Sequence, residues 1–114
     1  EVRYVRFFPG GRIAVSAGDD STLRVWDTET GREMGRWEGH DSAVHAVEFC
    51  PDGRHAVSVG EDKTVRVWDV ASGWEVRKFT GHTAGVRCVA VTLDGNHAVS
   101  GSTDDTVRIW GLGV

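Results

Sequence analysis

The stretch from Gly39 to Asp69, GHDSAVHAVEFCPDGRHAVSVGEDKTVRVWD, decides how this chain folds. It alternates apolar and polar residues in three short bursts. The first, residues 43–49, has Val44, Val47 and Phe49 as apolar anchors and ends at the turn Pro51-Asp52-Gly53. Proline presets one turn angle and glycine accepts a positive φ, so the chain reverses there. Residues 55–59 follow, then the polar turn 60–63, then residues 64–68, with Thr, Val and Trp at strand-favouring positions. Three strands joined by tight turns make a meander, and nothing in the stretch has helical period.

Moved 42 residues along, the stretch matches the chain again. Gly81-His82 falls on Gly39-His40, Asp94-Gly95 on Asp52-Gly53, and Val107-Arg108-Ile109-Trp110 on Val65-Arg66-Val67-Trp68. In the other direction, Gly10-Gly11 and Leu23-Arg24-Val25-Trp26-Asp27 occupy the same slots. Trp26, Trp68 and Trp110 are thus spaced 42 and 42, and residues 39–68 and 81–110 share 15 identities in 30 positions. A repeat of this length, with four strands per unit, is the signature of a propeller array.

These residues resemble the WD-repeat family. The marks are the two Gly-His pairs, the turns Pro51-Asp52-Gly53 and Leu93-Asp94-Gly95, Ser-x-x-x-Asp-x-Thr before the third strand, and Trp26-Asp27 and Trp68-Asp69. The resemblance covers essentially the whole chain. It implies an all-β fold: a β-propeller segment of three antiparallel four-stranded blades, residues 1–38, 39–80 and 81–114, the third lacking its outer strand. It does not name a job, because the family binds many unrelated partners.

In chain order, strands are expected at 2–8, 13–17, 23–27 and 33–37, the last more polar, as suits an outer edge. The second unit ends on an outer strand at 74–79, and the third supplies 86–91, 97–101 and 106–110. Three full units would need 126 residues, 12 more than the 114 present, which is about one outer strand with its Gly-His turn. Propellers typically have four to eight blades, and a row of three presents an apolar face at each end, the kind of patch that marks an interface. The expectation is an excerpt of a longer ring, or a chain that closes a ring of six or nine blades with copies of itself.

Formal charge is −4, from 13 basic and 17 acidic residues, which gives no electrostatic footprint for nucleic acid. Charges are interspersed, with no basic block to recruit an anionic membrane, and no run of about 18 apolar residues exists. The opening EVRYVRFFPG reads as a strand and not as a signal peptide. Cys50 and Cys88 lack paired-ligand spacing, which suggests reduced thiols in a cytoplasmic protein.

The family resemblance places His40, Ser58, Asp62 and Trp68 in a structural tetrad, repeated by His82, Ser100, Asp104 and Trp110. The first unit has Ser16, Asp20 and Trp26 but no histidine. A Ser/His/Asp set invites a hydrolase reading, yet it recurs from unit to unit, whereas a catalytic triad needs one exposed nucleophile beside an oxyanion hole. No catalytic residue, enzyme activity or cofactor is therefore expected. His45, His55 and His97 lack a third ligand for zinc. The acidic pairs Asp19-Asp20, Glu61-Asp62 and Asp104-Asp105 lack the spacing of a calcium loop, and no metal is expected.

In such propellers partners often meet the rim where the innermost strands begin and the second-to-third-strand turns sit. Carried onto this chain, the slots are Glu1, Arg3 and Asp19; Ala43, His45 and Glu61; Gly85, Arg87 and Thr103. Two arginines and three carboxylates on one rim suit a charged peptide, since arginine grips carboxylates bidentately. The expected function is a non-enzymatic scaffold for a protein or peptide partner. The alternative is a self-associating segment, a dimer or trimer that completes a ring. Off the tetrad, Trp37 aligns with Phe79, which argues for shared packing, whereas Trp74 aligns with Arg32 and is either local cover or a partner anchor.

Overall fold

The computed structural model describes residues 2–8 and 10–113, with Arg3 described by its backbone alone. Three antiparallel sheets hold all the strands. The first is β1 (Val2–Phe7), β2 (Ile13–Gly18), β3 (Thr22–Asp27) and β4 (Glu33–Glu38). The second is β5 (Val44–Phe49), β6 (His55–Gly60), β7 (Val65–Asp69) and β8 (Glu75–Phe79). The third is β9 (Val86–Val91), β10 (His97–Ser102) and β11 (Val107–Gly111). In each sheet the strands lie side by side in chain order, and every strand end falls within one residue of the sequence expectation. Among the described residues there is no helix, and so none long and apolar enough to cross a membrane.

The turns explain this regularity. Gly53 and Gly95, at equivalent slots, adopt φ of 69° and 73°, the left-handed conformation that the Asp-Gly turn requires. Ser21, Lys63 and Asp105 adopt φ of 68°, 72° and 66° in the second-to-third-strand turns. Each directly follows the aspartate of its unit, so the same kink presents that carboxylate in all three sheets.

The sheets stack through their faces. β5 packs on β1 and β2 from one side and on β9 from the other, so the middle sheet is covered twice. That is why Val65, Arg66, Val67 and Trp68 are all buried in β7, where the equivalent strand β3 of the first sheet alternates. One core joins Val15, Leu23, Val25 and Trp37 to Val44, Val47, Phe49 and Trp68. The other joins Val57, Val59, Val65 and Val67 to Val86, Ala98 and Leu112. Arg6 and Glu48 cross the first junction as an ion pair at 2.8 Å.

Each outer strand also reaches forward to the next sheet. Trp37 on β4 stacks on Trp68 with ring centroids 5.8 Å apart, and Phe79 on β8 stacks on Trp110 at 5.2 Å. The two outer tryptophans therefore part company: Trp37 is 3% exposed and Trp74 is 74% exposed. At the two ends of the stack, Val2, Val5 and Phe7 on β1 and Val107 and Ile109 on β11 are exposed. Their middle-sheet counterparts Val44, Val47, Phe49, Val65 and Val67 are buried.

Trp37→Ala should destabilise the chain by about 3–5 kcal/mol, the usual loss for a buried large aromatic, while Trp74→Ala should stay within about 0.5 kcal/mol. Urea melts of the two variants check this.

Candidate functional site: a repeated polar network and the rim beside it

In the second sheet one hydroxyl is the node. Ser58 Oγ lies 2.6 Å from His40 Nε2 and accepts the Trp68 indole N–H at 2.7 Å. Its single proton then goes to Nε2, leaving Nδ1–H to donate to Asp62, whose two oxygens lie 3.0 and 3.1 Å away. Asp62 also accepts the Asp41 backbone N–H at 3.0 Å and the Thr64 hydroxyl at 2.8 Å. Gly39 precedes His40 because a β-carbon there would come within 2.9 Å of the Trp68 ring.

The third sheet repeats the arrangement. His82 Nε2 is 2.7 Å from Ser100 Oγ, Trp110 donates to Ser100 at 2.8 Å, and His82 Nδ1 is 3.1 Å from Asp104. Asp104 also accepts from Thr106 and from the Thr83 N–H at 2.9 Å. In the first sheet Trp26 donates to Ser16 at 2.9 Å, but Asp20 turns to Thr22 and to Arg24, the latter at 2.9 Å.

Burial alone would raise the Asp62 carboxyl, but hydrogen bonds from His40, the Asp41 N–H and Thr64 hold it far below the usual aspartate range. Asp104 is likewise depressed, first by Thr106 and further by Thr83 and His82. Arg24 depresses Asp20. The Cys50 thiol is pushed up to about 11 by burial, so it is no thiolate nucleophile.

Sequence reasoning missed one member of the network. Arg66 is buried and donates to Thr64 at 3.1 Å, to Asp62 at 3.2 Å and to Glu75 on the outer strand at 2.8 Å. Arg24 and Glu33 pair similarly at 3.2 Å. The signal was available: Arg24 and Arg66, like Glu33 and Glu75, stand 42 apart.

The rim lies at the end of the strands where these turns sit. Arg3, His45 and Arg87 are each the residue skipped by the register of the innermost strand, between Val2 and Tyr4, Val44 and Ala46, and Val86 and Cys88. A bulge of this kind re-aims the side chain of the extra residue. Glu61 then bridges two sheets: its Oε1 is 2.8 Å from His45 Nε2 and 3.3 Å from an Arg87 nitrogen. Hydrogen bonding to His45 and the charge of Arg87 depress the Glu61 carboxyl, which lies over Gly85 in the space a β-carbon would need. The Ala43 carbonyl accepts the Glu61 N–H at 2.9 Å, and the Gly85 carbonyl accepts the Thr103 N–H at 3.1 Å. Asp19 is exposed on the corresponding turn of the first sheet. Glu1 and the Arg3 side chain lie outside the described residues.

A family profile described as "WD domain, G-beta repeat" matches residues 1–27, 31–69 and 73–111. Among curated proteins, the WD repeat-containing protein RUP2 of Arabidopsis thaliana is 49% identical over 39 residues, 34% of this chain and 10% of that protein. The Mitochondrial division protein 1 of Aspergillus clavatus is 50% identical over 40 residues, 35% of this chain and 6% of that protein. Topless-related protein 4 of Arabidopsis thaliana is 42% identical over 33 residues, 29% of this chain and 3% of that protein. The matched stretches therefore span a tenth or less of each relative's own length.

Because the folded state holds Asp62 below its ordinary value of 3.8, it contributes stability that is present above that pH and is lost as pH falls towards the lower folded value. Asp62→Asn should cost about 1–3 kcal/mol at neutral pH and flatten the acid limb of stability below about pH 4. Urea melts at pH 7 and pH 3 give both numbers.

Proposed function

Since the chain belongs to the WD-repeat family, whose repeats account for nearly all of its sequence, we propose that it is a non-enzymatic scaffold whose inner rim binds a protein or peptide partner. The family is in general a non-catalytic interaction domain. The observation that carries the rim assignment is the Glu61 bridge between the bulged residues His45 and Arg87. It sets a carboxylate and a cation side by side, with Glu61 and Arg87 about half exposed. A partner carboxylate can replace Glu61 on Arg87 while a partner cation takes the freed Glu61. Arg3, Asp19, Ala43, Gly85 and Thr103 complete the proposed surface. Carboxylates on this rim and the net charge of −4 argue against nucleic acid. The free thiols of Cys50 and Cys88 suit a cytoplasmic setting.

Catalysis is not proposed. The serines nearest a histidine, Ser58 and Ser100, are buried, and each hydroxyl is occupied by its histidine and its tryptophan.

A second reading rests on the end faces. The β1 face with Val2, Val5 and Phe7 and the β11 face with Val107 and Ile109 are each other's natural cover, since their middle-sheet counterparts pack that way. Copies meeting head to tail form a closed ring when the rotation between them closes.

Arg87→Glu with His45→Ala should weaken partner capture about tenfold, roughly 1.4 kcal/mol, with the urea midpoint unchanged. Unchanged capture, or loss of capture that tracks loss of stability, would remove the rim assignment. For self-association, light scattering across a concentration series should show a dimer or trimer that Val107→Asp returns to monomer; a concentration-independent monomer would overturn it.

A further inference from the structure

At the end of the strands opposite the rim, a cleft of about 480 Å³ opens between the first two sheets. Phe8, Ile13, Val25, Met34, Trp37 and Val70 give it an apolar lining. Residues 34–37 of β4 form one wall, and residues 71–73, in the turn before β8, form the other.

The repeat supplies an internal control. Forty-two residues on, at the junction of the second and third sheets, Arg77 stands in the slot of Gly35. The Arg77 guanidinium lies against Gly113, within 2.8 Å of where a β-carbon would stand, and Leu112, in the slot of Val70, is fully buried. Among the described residues of the second junction, Arg77 thus occupies the space that corresponds to Gly35 at the first. Gly35 leaves the first open, with nothing within 4 Å of its would-be β-carbon.

Two donors line the open cleft without an acceptor among the described residues: the Trp37 indole N–H and the Arg54 guanidinium. Both differ from the equivalent groups elsewhere in the repeat. The slot of Trp37 holds Phe79, which has no N–H. The tetrad tryptophans Trp26, Trp68 and Trp110 each donate to a serine, and Arg12, in the slot of Arg54, pairs with Asp27 and Glu29. The anion in the lining, Asp69, accepts the N–H groups of Ala71 and Ser72 through one oxygen. Arg36 is tied to Glu33 at 2.9 Å.

We infer that this cleft binds an extended peptide through one bulky apolar side chain next to a carboxylate. The side chain lies on the apolar lining, a backbone carbonyl accepts the Trp37 N–H, and the carboxylate pairs with Arg54. The volume is that of a small-ligand site, enough for one large side chain and its backbone. The site is separate from the rim and does not depend on it.

Gly35→Arg copies the plug that the second junction carries. Gly35 is not in the left-handed region, so the strand accepts a side chain there. A displayed heptapeptide library selected on the protein should yield sequences with an aromatic or large aliphatic residue within two positions of Asp or Glu. Synthetic versions should shift the Trp37 indole N–H resonance, assigned through Trp37→Phe. They should bind at least tenfold more weakly to Gly35→Arg and to Arg54→Glu, and equally well to Arg87→Glu. Selection of basic peptides, equal binding to the plugged and open forms, or failure to recover any peptide that moves Trp37 would overturn the inference. Should Gly35→Arg lower the urea midpoint, the exposed Arg54→Glu carries the comparison instead.

Discussion

The indole of Trp68 holds the middle of this structure together, because two different constraints meet on it. Its N–H is fixed by Ser58 at 2.7 Å, within its own sheet. Its face is fixed by Trp37 at a centroid distance of 5.8 Å, from the neighbouring sheet. Phenylalanine would keep the stack and leave the Ser58 hydroxyl without its donor; a smaller polar residue would keep the bond and lose the stack. Trp110 repeats the arrangement with Ser100 and Phe79. One residue type thus converts a correctly formed sheet into a correctly spaced stack. Polar groups buried in a low-dielectric interior are costly when unpaired, which makes such a network cooperative. The first sheet keeps the part of the network that the described residues share: Asp20 accepts from Thr22 and Arg24 as Asp62 does from Thr64 and Arg66.

Arg66 extends this logic to the outer strand. A buried guanidinium is expensive to desolvate, and only several well-placed acceptors offset it. Here Thr64, Asp62 and Glu75 supply them. Glu75 lies on β8, so the charge that stabilises the tetrad carboxylate also ties the most polar strand to the sheet. Beyond its backbone pairing with β7, this edge strand with almost no buried side chains is held by one ion pair and one aromatic, Phe79.

The period of 42 made the sheets legible, since the units match without insertion and each turn carries an explicit Gly or Asp. Residues that meet within one unit recur together in the next, so their grouping follows from sliding the sequence. Two features leave no such trace. The bulges at Arg3, His45 and Arg87 sit in the same slot of every unit, so the added residue does not disturb the spacing. The Glu61–Arg87 contact joins different slots of different units. The packing of Trp37 did leave a trace, since its slot holds Phe79 in the second unit and both rings stack on the next sheet's tryptophan.

A repeat also separates what the fold needs from what it leaves free. Slots filled alike in the second and third units, with Gly-His, Ser, Asp, Thr and Trp, are those whose hydrogen bonds close the network, and a change in any of them leaves a buried group unpaired. Slots filled differently carry no such obligation. Arg3, His45 and Arg87 share a bulge yet differ in chemistry, and Gly35 and Arg77 share a register yet differ by a whole side chain. Packing cannot account for those differences, because each sheet forms with its own choice. The Gly35 cleft and the Glu61 rim both fall in this second class, at opposite ends of the same strands. A rigid stack that spends its polar groups internally can present two chemically distinct surfaces without changing its frame.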